Sequence, residues 1–389
     1  MSNIPLYKLY HSDKSAYEKQ YNEFFNNDDT IHIDIHVKDN EAFIYPTPDI
    51  YKTIIEIERT DKQINALTSE LPEIALKQYT VKSLIGEVVT TNDIEGVRST
   101  RKEIGAIIDA IPNSKKSKRF TGLVNKYKAL ASGDVISLKT CSDVRKIYDD
   151  IFIEEIEETD KPDGELFRAK SVIIEGDNGA VIHTGLEPEA SINLAMTKAL
   201  MLLNDDRYDM LIRISAFHFL FGYIHPFYDG NGRMSRFISC YLLSKCLNPL
   251  IGYRLSHTIK DNINKYYKGF EICEKFSSKG DLSPFVETFL NIILAAEKQL
   301  LDTLTEKQQL YKNYYRCISS YPDKDLYDLL LQASLFSDKG IGYQDMIDCL
   351  HISLSTLKTK LGEIRPELLK KFKNKYVYYS LNLNELDKE

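Results

Sequence analysis

The sequence predicts a mainly α fold, and three observations support this class. Apolar residues recur at helical spacing over long stretches, as in Asp49–Leu67. Two mostly apolar runs, Phe217–Ile224 and Phe237–Leu243, have the composition of buried helices. β-rich runs are short; Ile31–Val37, for example, alternates apolar and polar residues as a single strand would. We therefore expect a helical protein that carries a few small strands.

The chain is long enough for two or three domains, and we place the boundaries at changes of character. Residues 1–110 are predicted to form an N-terminal region, 111–300 the core, and 301–389 a linker helix followed by a small C-terminal domain. A basic turn, Asn113–Arg119, separates the first two parts. Tyr321–Asp323 interrupts the helical pattern inside the third.

The loop between the two apolar runs carries the residues that indicate chemistry. It extends from His225 to Arg236 and presents backbone N–H groups at the start of the second helix, where the helix dipole also favours an anion. Gly230 and Gly232 allow positive φ and the close approach of a phosphate. Arg233 lies three residues before Arg236, so both project from one helical face. The loop is therefore predicted to bind nucleotide phosphates.

The string HPFxDGNGRxxR in this loop resembles the signature of the Fic family, whose members mostly transfer AMP from ATP to a protein hydroxyl. The resemblance implies a Fic-type helical core, ATP as substrate and Mg²⁺ as cofactor. His225 would be the general base that deprotonates a Ser, Thr or Tyr hydroxyl, and Asp229 would hold the Mg²⁺ that bridges the α- and β-phosphates. The residues that would contact the phosphates are Gly230, Asn231, Gly232, Arg233 for the β-phosphate and Arg236 for the γ-phosphate.

A second segment, from Thr91 to Gly96, resembles the inhibitory motif of the same family, Ser/Thr-x-x-x-Glu followed by Gly or Asn. The preceding residues are apolar at helical spacing, and Gly96 suits the C′ position of a helix, so Glu95 is predicted at the helix end. The resemblance implies that Glu95 pairs with Arg236 and occupies the γ-phosphate position. ATP would then bind only in a pose unsuited to in-line attack.

A predicted β-hairpin also resembles the family, more loosely. Val172–Ile174 and Ala180–His183 predict a β-hairpin around Asp177–Gly179. In Fic proteins such a hairpin, the flap, clamps the target by strand addition, which implies a role at the nucleotide and target site for Ile182, His183 and Thr184. Thr184–Pro188 departs from the Ile-Pro-Pro-like stretch of the family, and a plain structural hairpin is the alternative.

The pair Tyr266–Tyr267 occupies the place where the family often has tyrosines beside adenine. Aromatic faces can stack on a base. The chain contains 25 Tyr, so packing in the core is the alternative for this pair.

The C-terminal residues resemble a winged helix-turn-helix. Three helices are predicted, at Lys324–Leu335, Gly342–Leu350 and Ser353–Ile364, followed by a strand at Lys375–Leu381. The third helix has the recognition position, and the residues that give this region a basic character are Lys358, Lys360, Arg365, Lys370, Lys371, Lys373 and Lys375. The module could meet DNA phosphates, or it could serve as a packing or protein-docking element.

Charge and hydropathy limit the other functions. The formal net charge of −7 argues against a dedicated nucleic-acid-binding protein, so DNA is a weaker candidate partner than a protein. The apolar run Phe285–Ala296 is too short to span a bilayer, and Met1–Ser15 lacks the pattern of a signal peptide. We therefore expect no membrane association and a cytoplasmic location. The target would be a protein with an exposed hydroxyl, with a second copy of the chain as one candidate and a homodimer left open.

Three functions follow from these residues. The first is a protein adenylyltransferase that Glu95 inhibits. The second keeps the fold but changes the reaction to removal of AMP or transfer of UMP, phosphocholine or a γ-phosphate. Gly232 stands where Doc-type kinases of the family have Lys, which argues against γ-phosphate transfer. The third is a DNA-binding regulator that uses the winged helix.

Overall fold

The computed structural model describes residues 4–109, 119–175, 179, 181–373 and 376–388. They belong to two compact units. The first unit comprises Met1–Asp61 and Gly86–Glu297, and the second comprises Lys62–Ile85 and Lys298–Glu389. Helices predominate, with a few short strands, which confirms the predicted mainly α class.

Most helices lie in the first unit. They are α1 (Leu6–Ser12), α2 (Lys14–Phe25), α5 (Arg101–Ile108), α6 (Thr121–Ala131), α7 (Cys141–Phe152), α8 (Glu189–Leu203), α9 (Met210–Ile224), α10 (Asn231–Cys246), α11 (Pro249–Gly252), α12 (Leu255–Asp261) and α13 (Ile263–Cys273). Three further helices have residues in both units: α3 (Pro48–Ser69), α4 (Glu73–Ile94) and α14 (Ser283–Ile318). The predicted helix at Asp49–Leu67 corresponds to α3.

Two antiparallel hairpins complete the first unit. In the first, β1 (Ile31–Val37) pairs with β2 (Asn40–Ile44), and the residues of β1 alternate between buried and exposed as predicted. In the second, β3 (Ile173–Glu175) pairs with β4 (Val181–Thr184). Residues 177 and 178 of the predicted turn lie outside the described residues, as do 113–118 of the basic turn.

Helices α9 and α10 form the centre of the first unit. Of the residues of α9, twelve are buried, because its sequence is apolar on every side. Asp209 caps its start by accepting hydrogen bonds from the backbone N–H groups of Leu211 and Ile212. The loop from His225 to Gly230 leads directly into α10, so both ends of this loop are fixed by buried helices.

The second unit contains a smaller α+β module. Its elements are α15 (Lys324–Phe336), β5 (Ile341–Gly342), α16 (Tyr343–Leu350), α17 (Leu354–Glu363), β6 (Leu369–Lys373), β7 (Val377–Leu381) and α18 (Leu383–Leu386). The strands form one antiparallel sheet in the order β5-β7-β6. The predicted helices agree with α15, α16 and α17, whereas β5 and β6 were not predicted.

Among the described residues, no helix is both long and apolar enough to cross a membrane.

Candidate active site

His225 ends α9 in the left-handed conformation, with φ 52°. Its backbone N–H donates to the Phe221 carbonyl at 3.0 Å, and its Nδ1 lies 3.4 Å from the Gly222 carbonyl. A carbonyl only accepts, so the proton is assigned to Nδ1, which leaves Nε2 with a free lone pair. Burial, followed by the nearby His183 ring, lowers the pKa of His225 to about 4. The imidazole is therefore neutral at pH 7 and can accept a proton.

The loop after His225 is fastened to the core at two points. The Phe227 ring is fully buried and stacks on Tyr148 with a centroid distance of 3.7 Å. The Asn231 side chain accepts from the Phe227 N–H at 3.0 Å and donates to the Phe227 carbonyl at 2.7 Å. The Asn231 amide thus closes the loop on itself. Because both polar atoms of the Asn231 side chain are bonded to Phe227, the phosphate contact predicted for Asn231 could come only from its backbone N–H.

Arg168, to which the sequence assigned no role, holds the His225 backbone. Its fully buried guanidinium donates to the carbonyls of His225 at 2.8 Å, Leu186 at 2.7 Å and Lys170 at 2.5 Å. A Cβ at Gly185 would lie 2.4 Å from this guanidinium and 3.0 Å from the His225 Cβ. Arg168 therefore joins the backbone of the loop to the residues on both sides of the β3–β4 hairpin.

The start of α10 is built to receive an anion. Gly230 has φ 84° and precedes the first turn of the helix. The first backbone N–H groups of a helix have no partner within the helix and can bind an anion. The side chain of Asp229 is 52% exposed; it accepts from the Gly230 N–H at 2.6 Å and contacts Arg233 at 3.2 Å. An exposed carboxylate beside an anion site could provide one ligand to a Mg²⁺ ion.

Arg233 lies buried between two carboxylates. Its guanidinium is 3.8 Å from Glu155 as well as 3.2 Å from Asp229, and it stacks over the Phe152 ring at 4.8 Å. Burial raises the pKa of Glu155 to about 7, although Arg233 opposes that shift. No sequence pattern indicates a role for Glu155, because it is one acidic residue in an acidic stretch.

Arg236 is bound by the end of α4. Its Nε donates to the Thr91 hydroxyl at 2.8 Å. Its Nη2 donates to the Thr91 carbonyl at 3.0 Å and to the Glu95 carboxylate at 2.8 Å. Thr91 and Arg236 are buried, whereas the Glu95 side chain is 32% exposed. Gly96 follows with φ 68°, in the conformation predicted for a residue that ends a helix.

The Glu95 carboxylate also lies against the start of α10. A Cβ built on Gly232 would be 2.1 Å from a Glu95 carboxylate oxygen and 3.1 Å from Arg236. A glycine is thus required here for close approach of the carboxylate. An anion at this place is stabilised by the helix dipole as well as by Arg236.

The hairpin residues divide into one buried and two exposed side chains. The His183 ring is buried and lies 2.8 Å from Glu274 and 2.9 Å from the Tyr223 carbonyl, so both of its nitrogens are already bonded. Ile182 is 64% exposed, and Thr184 is exposed as well. The structure therefore gives His183 an anchoring position, and leaves Ile182 and Thr184 available to a ligand or target.

The tyrosine pair divides in the same way. The Tyr266 hydroxyl is buried and bonded to His218 at 2.7 Å. Tyr267 is 51% exposed, and the Glu95 carboxylate is the second cause, after burial, that raises the pKa of its hydroxyl. Tyr267 can therefore meet a base beside the anion site. Tyr266 is part of the core.

His218 is a further buried residue beneath the site. Besides Tyr266, it contacts the Ser239 hydroxyl at 2.8 Å and the Ser235 hydroxyl at 3.2 Å. Burial lowers its pKa to about 3, and the Arg236 charge acts in the same direction. A neutral His218 therefore supports α10 from the core.

Comparison with known proteins confirms the resemblance to the Fic family. Residues 139–243 match the Fic/DOC family, and this stretch includes the whole loop from His225 to Arg236 but not Glu95. The crystal structure of a Fic family protein from Desulfovibrio desulfuricans G20 is similar, with 20% identity, a TM-score of 0.53, and coverage of 86% of this chain and 96% of that one.

Two other structures show weaker similarity. One is a Fic domain containing signaling protein from Bacteroides thetaiotaomicron, with 17% identity, a TM-score of 0.45, and coverage of 64% of this chain and 97% of that one. The other is Fic-1 from C. elegans, with 17% identity, a TM-score of 0.44, and coverage of 66% of this chain and 74% of that one. The conclusion about the fold rests on the Desulfovibrio protein.

Proposed function

We propose that this chain, which carries a Fic/DOC family domain, transfers AMP from ATP to a hydroxyl of a target protein and is inhibited by its own Glu95. Proteins of this family generally transfer phosphate-containing groups, such as AMP, to proteins. The observation that carries the proposal is the ion pair of Glu95 with Arg236 at 2.8 Å, at the start of α10. The Glu95 carboxylate lies beside Gly232 and Arg236, at an anion position that a triphosphate would need. The loop that leads to this position begins at His225, whose imidazole is neutral.

The charges around the loop suit a triphosphate. Arg233 and Arg236 are both buried, and a guanidinium binds phosphate oxygens in a bidentate manner. In the proposal, the start of α10 receives the phosphates, Arg233 binds the β-phosphate, and Arg236 binds the γ-phosphate. Tyr267, which is exposed beside the site, would contact the adenine.

The donor set also fits a Mg²⁺ ion that arrives with the nucleotide. Within the described residues, no group of three or more His, Cys, Asp or Glu could hold a metal ion. Mg²⁺ in nucleotide sites is commonly bound by one or two carboxylates, with phosphates and water supplying the other ligands. Asp229 would provide that carboxylate, and the ion would neutralise charge on the leaving pyrophosphate.

The transfer needs one base and one leaving group. The target hydroxyl oxygen attacks the α-phosphorus, and Nε2 of His225 takes the hydroxyl proton. The bond from the α-phosphorus to the bridging oxygen breaks, and pyrophosphate leaves. Because burial keeps His225 neutral, the base is ready at pH 7 without prior loss of a proton. Catalysis then depends on positioning and on charge neutralisation.

The β3–β4 hairpin is the proposed docking site for the target. The hairpin has two strands, so each strand has an edge that is unpaired within the described residues. Three of its apolar side chains are exposed: Ile173, Val181 and Ile182. An extended segment of the target could add to this edge through main-chain hydrogen bonds and cover those side chains.

The test uses ATP labelled on either the α- or the γ-phosphate. Wild type, Glu95→Gly and Glu95→Gly/His225→Ala are incubated with Mg²⁺ and a cell extract, and labelled proteins are separated on a gel. We expect the α label to be retained in protein, at least tenfold more with Glu95→Gly than with wild type, and only background label when His225 is replaced. Self-modification is the first product to look for.

Asp93→Gly is the matched control. Asp93 also lies at the end of α4, but it pairs with Lys260 instead of Arg236. This variant should keep the low activity of wild type. Retention of the γ label would show a kinase. Equal labelling by Glu95→Gly and wild type would refute the inhibitory role of Glu95.

Removal of AMP from a modified protein is the second candidate. The partly exposed Glu95 carboxylate lies beside the anion site, where it could orient a water molecule. Incubation of a pre-labelled target with unlabelled wild type distinguishes the two. Release of AMP by wild type but not by Glu95→Gly would favour this reaction.

A further inference from the structure

Helices α16 and α17 form a helix-turn-helix in the second unit. Three residues, His351–Ser353, connect them, which is the length typical of this motif. Leu357 and Leu361 bury one side of α17. The other side is exposed and carries short hydroxyl side chains and a lysine: Ser355, Thr356, Lys358 and Thr359.

Strand β6 brings more lysines to the same face as α17. The Lys358 ammonium, from α17, lies 6.0 Å from the Tyr343 ring centroid, and the Lys371 ammonium, from β6, lies 5.8 Å from the Tyr379 ring centroid. The two tyrosines are themselves joined, hydroxyl to hydroxyl, at 2.7 Å. The helix and the strand thus direct their charges to one continuous surface. Lys373 points to the same side of β6 as Lys371, two residues away.

Three lysines of this face lack an acidic partner among the described residues. Within the described part of the chain, no carboxylate forms an ion pair with Lys358, Lys371 or Lys373, whereas Lys360 is paired with Asp323. Between positions 353 and 376 the sequence has seven basic and two acidic residues, although the net charge of the chain is −7. The basic residues are therefore concentrated in one part of an acidic protein, which the total charge alone conceals.

We propose that this face binds duplex DNA, with α17 in the major groove and the lysines of β6 on the phosphate backbone. Hydroxyl and ammonium donors suit phosphate oxygens and base edges. A protein partner would instead require a buried aromatic or aliphatic anchor. The exposed side of α17 offers only Leu354, at its first position, which could contact a thymine methyl group.

The test measures binding of the full-length protein to a fluorescein-labelled DNA duplex of about 24 base pairs and mixed sequence, by anisotropy. With three to four phosphates neutralised, the dissociation constant should rise by roughly 40- to 150-fold between 50 and 200 mM NaCl. Lys358→Glu/Lys371→Glu should weaken binding at least tenfold at 50 mM NaCl. Circular dichroism and the melting temperature show whether the variant is folded.

Lys14→Glu/Lys19→Glu is the matched control, because it makes the same charge change on exposed lysines of α2 in the first unit. This variant should bind DNA within about twofold of wild type. Equal losses in the two double variants would overturn the assignment. Absence of binding at about 100 µM protein and 50 mM NaCl would do the same.

Poly-glutamate of equal charge serves as a competitor in the same assay. Competition as strong as that of unlabelled duplex would assign the face to an acidic protein segment and would also overturn the proposal. DNA binding requires neither ATP nor His225, so this result is independent of the proposed transfer reaction.

Discussion

His225 adopts a backbone conformation that is uncommon for a residue with a side chain. Two contacts hold it there: its N–H donates into the last turn of α9, and its carbonyl accepts from the buried Arg168. The left-handed conformation of this residue ends α9 and starts the loop toward α10. A conformation of this kind persists only where the surroundings determine it, and it is frequent at functional sites.

The lowered pKa of His225 predicts the pH dependence of transfer. Because burial disfavours the imidazolium, the neutral base persists as pH falls until it is protonated near pH 4. In the Glu95→Gly background we expect single-turnover rates to change less than about twofold between pH 8 and 6, and to fall tenfold per pH unit well below pH 4. An acid limb centred at pH 6.5 would contradict this expectation. His225→Ala should be inactive over the whole range.

Thr91 contributes to inhibition through Arg236. Its hydroxyl accepts one of the three hydrogen bonds that bind the Arg236 guanidinium to α4. Thr91→Ala removes that bond but leaves the Glu95 ion pair, and a bond to a charged group is worth about 1.5–3 kcal/mol. We therefore expect Thr91→Ala to transfer more α label to protein than wild type does, and less than Glu95→Gly does. Thr90→Ala, at the neighbouring position, should behave as wild type. Full activation by Thr91→Ala would show that Glu95 alone does not provide the inhibition.

The β3–β4 hairpin is an element whose position depends on Arg168. Of the three carbonyls that accept from its guanidinium, those of Lys170 and Leu186 flank the hairpin and the third belongs to His225. His183 anchors the hairpin at a second point. A shift of the hairpin is therefore coupled to the backbone of the catalytic base, which would link target docking to the orientation of His225.

Arg168→Lys tests this coupling in the Glu95→Gly background. A single ammonium cannot reach three carbonyls that a planar guanidinium spans. The turnover number should fall by about 10- to 100-fold, because misplacement of a catalytic group costs rate. The affinity for ATP, measured by calorimetry, should change less than about twofold, because Arg168 lies outside the phosphate-binding residues.

Arg145→Lys is the control for this prediction. Arg145 also donates to a carbonyl, that of Leu166, but it makes no contact with His225. Its replacement should leave turnover nearly unchanged. Equal losses of turnover and of ATP affinity with Arg168→Lys would indicate general disruption of the site instead of mispositioning.

The sequence reveals the parts of the site that lie close together in the chain. The loop from His225 to Arg236 and the helix end at Glu95 each have a local pattern. The resemblance to a family implies the long-range pair of Glu95 and Arg236, which lie 2.8 Å apart in the structure. Arg168 and Glu155 could not be assigned, because the loop residues that they contact, His225 and Arg233, are distant from them in sequence.

The sequence also does not show which of the predicted nucleotide-binding residues have their side chains bonded within the core. Tyr266, His183 and Asn231 each have the residue type that binds nucleotides, and only their depth reveals that the polar atoms are already used. A tyrosine pair or an alternating strand does not disclose which member faces solvent. Tyr267 and Ile182 were predicted from the same resemblance to lie at the nucleotide and target site, and both side chains are exposed.

Taken as a whole, the molecule has ionisable groups buried at a cost to its stability, and Glu297 is the clearest case. It lies on α14 with no exposed surface, and neither carboxyl oxygen has a hydrogen-bond partner among the described residues. Burial, followed by the Asp61 carboxylate, raises its pKa from 4.5 to about 9. At pH 7 this side chain is therefore protonated in the folded chain and ionised in the unfolded chain.

Because the folded pKa is the higher one, the folded state binds more protons than the unfolded state between pH 4.5 and 9. The contribution of Glu297 to stability is therefore complete below pH 4.5 and is lost as pH rises toward 9.

Glu297→Met keeps a long side chain but removes the carboxyl group, so it should raise stability by about 1–3 kcal/mol at pH 7 and by less at pH 5. Melting temperatures at pH 5, 7 and 9 measure this; the gain should be several degrees at pH 7 and should increase with pH. Glu306→Gln, an exposed position on the same helix, is the control and should show no such trend. A gain of equal size at all three pH values would mean that better packing, and not the removal of a buried acid, stabilises the variant.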